Sequence, residues 1–235
     1  PLNKRDLSYV NGGFAVIFSG EDVSRDQRIY IDDIHYFYEP DLKEKERDVV
    51  FPFFVYHDAA SVENHYIPSG WIPETSPEDL TIDTNSRNNP HRGETCIKIT
   101  YSDNSKNGWA GIYWQDPAHN WGTVRDAGFD LSGANKLVFW ARGETGEELV
   151  FEAKVGGLIS GDYPDSTNMR IGPLKLTDKW QKFEIDLTGL DLSHIIGGFY
   201  LSINAPVVKE GMTLTRPQKQ VIYIDEIYYT YSPVD

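Results

Sequence analysis

The sequence predicts an all-β protein built as an antiparallel β-sandwich, and three observations carry that expectation. Apolar residues recur with period two, clusters of Gly, Pro, Asn and Asp punctuate the apolar runs, and no stretch shows the 3.6-residue periodicity of an amphipathic helix. In Gln181–Leu187, Phe183, Ile185 and Leu187 face one way while Lys182, Glu184 and Asp186 face the other. That is the pattern of a strand with one face in a core and one in water.

Taken in order, the predicted strands are Val50–His57, Thr95–Tyr101, Trp109–Trp114, Lys136–Arg142, Leu149–Val155, Gly172–Leu176, Gln181–Leu187, Gly198–Asn204 and Val221–Tyr231. That number of short strands, separated by turn signals, suits two packed sheets.

An internal repeat extends the picture toward the N-terminus. LSYVNGGF at 7–14 answers LSHIIGGF at 192–199, and IYIDDIHYFY at 29–38 answers IYIDEIYYTY at 222–231, in the same order. The second copy carries a longer polar stretch, NAPVVKEGMTLTRPQKQ, between its two blocks, which belongs in a loop. Residues 1–41 therefore read as the last two strands, Gly13–Phe18 and Arg28–Phe37, of a preceding copy. The charged run DLKEKERD at 41–48 marks a connector, taken as 42–49, and 50–235 reads as the full domain. Two strands alone are marginal in water. Residues 1–40 are accordingly expected to lie against a sheet, of this domain, of a neighbouring repeat or of a second chain.

Composition narrows the partners. The 235 residues, 40% of them hydrophobic, can bury a sizeable core. A formal net charge of −14 repels phosphate backbones and anionic lipid, which argues against nucleic acid and membrane surfaces as partners. No apolar run is long enough to cross a bilayer as a helix. The single cysteine, Cys96, allows neither an intrachain disulfide nor a cysteine-based zinc site. PLNKRDLSYV lacks the apolar centre of a signal peptide, so the protein reads either as cytoplasmic or as one whose signal was removed.

The stretches GWAGIYWQDPAHNWGT (108–123), DLSGANKLVFWARGETGEE (130–148), YPDS (163–166), LTDKWQKFEIDLTGLDLSHIIGGF (176–199) and IYIDEIYY (222–229) together resemble the galactose-binding-like jelly-roll modules appended to secreted glycoside hydrolases and surface proteins. The resemblance covers most of residues 50–231. It implies a jelly-roll sandwich, glycan binding in many members, frequent calcium near the sheet ends, an extracellular or cell-surface location and no catalysis.

A pyranose offers a face of C–H groups and a rim of hydroxyls. A site for it needs aromatic plates and hydrogen-bonding side chains at fixed positions. Of the six Trp, three cluster at 109, 114 and 121. Alternation puts Ala110, Ile112 and Trp114 on the core side, leaving Trp109, Tyr113 and Gln115 on a ligand face. His119, Asn120 and Trp121 follow in a loop, and Trp71 lies in the turn-rich IPSGWIPE. Tyr163 and Asp165 come from the polar loop LISGDYPDSTNM, and Arg142 extends the face of Val138 and Trp140. Glu152 and Lys154 share a face opposite Phe151, Ala153 and Val155. Asn and Asp in such loops equally serve turn chemistry.

The resemblance also places calcium between the first strand region and the last. Asp58 and Glu63 in HDAASVEN and Asp225 in IYIDEI are the candidate ligands, Asp225 because a carboxylate inside an apolar strand needs a partner. His57 and His65 are a weaker pair for a transition metal. No GxSxG, HExxH or GxxxxGK motif is present. The expected function is that of a non-catalytic module of a multidomain protein, binding polysaccharide or oligosaccharide. A structural or adhesive tandem repeat is the alternative, and a carbohydrate-active enzyme stands third.

Overall fold

The chain divides into two compact units, Pro1–Glu46 and Arg47–Asp235. The computed structural model describes residues 49–73, 79–102, 108–204 and 219–231, all in the second unit. The expected repeat fragment at 1–41 lies outside the described residues, as does the connector up to residue 48.

The described residues form strands and no helix: β1 (Phe53–Tyr56), β2 (Ile67–Ile72), β3 (Leu80–Ser86), β4 (Cys96–Ser102), β5 (Trp109–Gln115), β6 (Lys136–Gly143), β7 (Leu149–Val150), β8 (Glu152–Gly156), β9 (Asn168–Ile171), β10 (Leu174–Lys175), β11 (Gln181–Asp186), β12 (Gly197–Asn204) and β13 (Lys219–Thr230). One sheet runs β11-β6-β13-β4-β3, with β1 added beside the far half of β13; the other runs β2-β5-β12-β8-β9. Every pairing is antiparallel, as in the expected sandwich.

Three strands escape the sequence reading, β2, β3 and β9, and each is a sheet edge. An edge strand can have water along one side, so Pro68, Gly70, Asp83 and Asn85 are tolerated there and the apolar alternation fades. The expected strand Leu149–Val155 is broken at Phe151 into β7 and β8.

The inner faces meet in one apolar core. Ala110, Ile112 and Trp114 of β5 point into it, as alternation predicts, against Phe199, Leu201 and Ile203 of β12. Across the sandwich, Phe139 of β6 packs on Phe199 at 5.2 Å between ring centres, and Phe199 on Trp114 at 5.3 Å. Phe183 of β11 stacks on Phe139 at 5.4 Å in direct register. Aromatic burial of this kind supplies the largest apolar contributions to a small core. Gly198 is required where β12 enters the sheet, since a Cβ there would overlap the Tyr66 ring.

The repeated words LSHIIGGF and IYIDEI end in β12 and β13, central strands of the two different sheets rather than a hairpin.

Each outer face is partly closed by loops. On the six-stranded sheet, residues 88–91 are drawn down by Arg142, whose guanidinium lies 3.8 Å above the Tyr223 ring and donates to the Asn88 carbonyl at 2.8 Å. The His91 ring stacks on Trp140 at 3.8 Å, and the Trp180 indole N–H donates to the Asn89 carbonyl at 3.0 Å. On the five-stranded sheet, loops 116–129 and 157–166 roof one end and leave the other open.

Candidate functional site

The roofed end forms first, from polar anchors. Asn120 is fully buried, and its side-chain Oδ1 accepts the N–H groups of Gly122, Thr123 and Val124 at 3.0, 3.2 and 3.3 Å. Gln115 is fully buried too; it donates to the Asn120 carbonyl at 2.7 Å and accepts from the Ser69 hydroxyl at 2.9 Å. Asp165 accepts the N–H groups of Leu158, Ile196 and Gly197 at 2.8, 2.7 and 3.0 Å. Burial pushes its pKa above the usual carboxylate value, offset only in part by those three bonds. Beneath this roof Tyr113 packs with Ala127, Leu158, Ile196 and Tyr200, and the half-buried Trp121 stands edge-on to it at 6.3 Å.

The sequence reading therefore needs correction at four positions. Tyr113, Gln115, Asn120 and Asp165 were expected to face a ligand, yet they are the floor and pins of a closed loop cluster. Tyr113 and Gln115 do lie on the face that alternation assigned, but the loops that follow β5 fold back over it. His119 is exposed at the surface of that cluster, with its main-chain N–H donating to the Ser69 hydroxyl. Tyr163 accepts from Arg125 Nε at 3.0 Å. Trp71 packs half-buried against the core. Arg142 lies on the opposite outer face of the sandwich, buried against Tyr223 and Trp180, and joins neither group.

The open end of the same face carries a groove of about 310 Å³ lined by Trp109, Phe151, Glu152, Tyr200, Ser202 and Asn204. Register explains the set. Asn204 pairs with Trp109 across β12 and β5, and Ser202 is flanked by Gly111 and Glu152. In the next row Tyr200 lies between Tyr113 and Lys154. Gly111 leaves room for the Tyr200 ring to lie along the sheet, since a Cβ there would overlap the ring and its hydroxyl. Alternation sets Phe151 on the same face as Ala153 and Val155, both of which point into the core. The break between β7 and β8 turns it out instead, 46% exposed, while its N–H donates to the Ser202 carbonyl at 2.9 Å.

Glu152 is the charged group of the groove. Its carboxylate bonds Lys154 Nζ at 2.8 Å and Arg170 Nη1 at 2.9 Å. Burial works to raise its pKa, but the two cations outweigh burial and hold it below the ordinary value, so it is ionised at neutral pH. Lys154 is pinned in turn, 4.7 Å over the Tyr200 ring. Burial raises the Tyr200 pKa, which keeps its hydroxyl protonated.

Of the groove residues, sequence reasoning singled out Trp109 as a ligand contact and Glu152 as a polar candidate. It missed Phe151, Tyr200, Ser202 and Asn204. The last three had a usable signal: in GGFYLSIN, Phe199, Leu201 and Ile203 alternate with Tyr200, Ser202 and Asn204, a clean inward and outward set.

The calcium candidates do not converge. Asp225 is fully buried, and its carboxylate accepts the N–H groups of His91, Arg92 and Glu226 at 2.8, 3.1 and 2.9 Å. Asp58 accepts Thr95 N–H and Oγ1–H, both at 2.8 Å. Glu63 is exposed. Among the described residues no group of three or more His, Cys, Asp or Glu is placed to hold a metal ion. Carboxylates aimed at N–H donors suit loop anchoring. His57 is engaged by Glu226 at 2.6 Å, and His65 stacks on Phe53 at 3.9 Å. A second cavity of about 440 Å³ beside His57, Asp58, Asn85, Arg87 and Glu94 has no aromatic plate other than the His57 ring among its described lining residues.

No protein-family model matches the chain and no curated protein matches it. Solved structures do. A family 30 carbohydrate binding module aligns at 16% identity and a TM-score of 0.45, over 76% of this chain and 97% of its own. A mutant family 29 module aligns at 13% identity and 0.40, over 75% and 89%. The family 11 module of the cellulosomal cellulase Lic26A-Cel5E of Clostridium thermocellum aligns at 13% and 0.40, over 65% and 81%.

Proposed function

We propose that this chain is a non-catalytic glycan-binding module and that the groove on the outer face of its five-stranded sheet is the binding site. The observation that carries this reading is the composition of one groove. Trp109 and Phe151 supply aromatic faces for pyranose C–H groups over a floor made by the buried Tyr200, while Glu152, Ser202 and Asn204 supply acceptors and donors between them. From β5 across β12 to β8 the groove spans roughly 10 Å, taking adjacent strands as about 4.8 Å apart. A short oligosaccharide segment suits that length. Glycoside hydrolysis uses two carboxylates facing each other across the bond, and among the described lining residues Glu152 is the single carboxylate. Polysaccharide is met mainly outside cells, which favours action at or beyond the cell surface. The paired words at 7–38 and 192–231 support a place in a tandem array.

The test is retention of the whole chain in native gels cast with soluble polysaccharides, alongside the Trp109→Ala variant. Wild-type retardation by at least one polysaccharide, lost in the variant at unchanged melting temperature, is expected. Retardation that survives Trp109→Ala would place binding elsewhere.

A further inference from the structure

We infer that the groove selects uncharged glycans over glycans bearing carboxylate or sulfate, and that Glu152 sets this preference; the inference rests on the glycan-binding reading of the groove. Among the described residues that line the groove, Glu152 carries the single charge. Its Oε1 is held by Lys154 and its Oε2 by Arg170, so the side chain is fixed in place, 12% exposed. A carboxylate has about four acceptor positions. Two cation bonds leave acceptor capacity toward the groove, where a sugar hydroxyl can donate in a charge-assisted bond, stronger than one between neutral groups.

Neither cation is offered to the ligand in the same way. Lys154 Nζ is bonded to Glu152 and lies over the Tyr200 and Tyr113 rings at 4.7 and 6.0 Å, and it does not line the groove. Arg170, with 72% of its side chain exposed, reaches Glu152 from the edge strand β9, outside the lining. A uronate or sulfate ester seated on Trp109 and Phe151 thus meets an ionised carboxylate whose paired cations are held outside the groove, and two acceptor-only groups cannot hydrogen-bond each other, whereas a neutral sugar hydroxyl donates to it. The whole chain adds to this at longer range, since its net charge of −14 disfavours approach of a polyanion.

The experiment compares matched polymers on the full chain: a neutral galactomannan and a neutral β-glucan against polygalacturonate and a sulfated galactan, by affinity electrophoresis and calorimetry at low and moderate salt. At least one neutral polymer is expected to bind at least about tenfold more tightly than either anionic one. Glu152→Gln should narrow that gap by weakening neutral binding and strengthening anionic binding. Its melting temperature is measured in parallel, and Arg170→Gln, which leaves the carboxylate in place, should preserve the preference. Anionic polymers that bind as tightly as neutral ones, with both lost in Trp109→Ala, would overturn the selectivity while leaving the groove a glycan site. An unchanged preference in Glu152→Gln would overturn the role of Glu152. Failure of every polymer to bind would overturn the groove reading, and the selectivity with it.

Discussion

Truncating Asp165 to alanine separates the roofed end of the sheet from the groove. Its carboxylate accepts three main-chain N–H groups, those of Leu158, Ile196 and Gly197, and is 7% exposed. Alanine leaves these donors in a site that water enters poorly. Each stranded buried donor costs about 1–3 kcal/mol, and with some relaxation of the loops the three together cost about 3–5 kcal/mol. For a domain of this size that corresponds to a fall of about 10–15 °C in Tm. Asparagine is milder. Oriented with its oxygen at Oδ1 it still accepts from Ile196 and Gly197, and only the Leu158 N–H faces an amide donor, so about half the loss is expected. Thermal unfolding followed by circular dichroism reads the first quantity, and polysaccharide retention well below Tm reads the second. Retention should be unchanged in both variants, because Asp165 pins loops and does not line the groove. If Asp165→Ala keeps its Tm within about 2 °C and loses retention, the carboxylate is a ligand contact and the assignment of the loop cluster to structure is wrong.

Gly111→Ala should weaken glycan retention about tenfold or more at a modest cost in Tm, since the added methyl displaces the Tyr200 ring from the groove floor; binding equal to wild type would remove Tyr200 from the site. Burial pushes the Asp225 pKa up to about 7, further raised by neighbouring Glu226 and only partly opposed by N–H donors from Arg92, Glu226 and His91. The folded state therefore holds a proton that the unfolded chain releases from about pH 4. This group's contribution to stability is full below pH 4 and declines as the pH rises to about 7, by up to about 4 kcal/mol. Asp225→Asn should flatten the Tm profile over that window, and a wild-type slope retained in the variant would assign the titration to another group. Divalent-cation chelation should leave Tm within about 1 °C, because the Asp58 and Asp225 oxygens are engaged by N–H and O–H donors; a larger drop would restore calcium to the loop that carries Asp58.

What the sequence discloses about this protein follows from which residues have two possible reasons to be present. Ile222, Ile224, Phe199 and Leu201 have one, burial, so alternation located the central strands and the inward side of β5. The edge strands β2 and β3 mix turn residues into their pairing and were invisible for that reason. Aromatic and amide side chains on an outer face are ambiguous in principle. Tyr113 and Tyr200 are neighbours in register, differ by no local pattern and are buried in one cluster, yet only Tyr200 also floors the groove, because loops 116–129 and 157–166 stop short of its far edge. Long-range closure of that sort is carried by Asp165, whose Oδ1 accepts the Ile196 and Gly197 N–H groups far along the chain that no spacing rule connects to it, while Asn120 closes only its own turn. The same ambiguity explains Arg142, read as part of a ligand face because it alternates with Trp140: the alternation was right, the face is the opposite one, and the 88–91 loop has already taken the guanidinium. An outer-face residue in a sandwich is thus a candidate ligand contact only once the loops returning over its strand are known, and in this chain that condition selects Trp109 from the original set and adds Phe151, Tyr200, Ser202 and Asn204 to it.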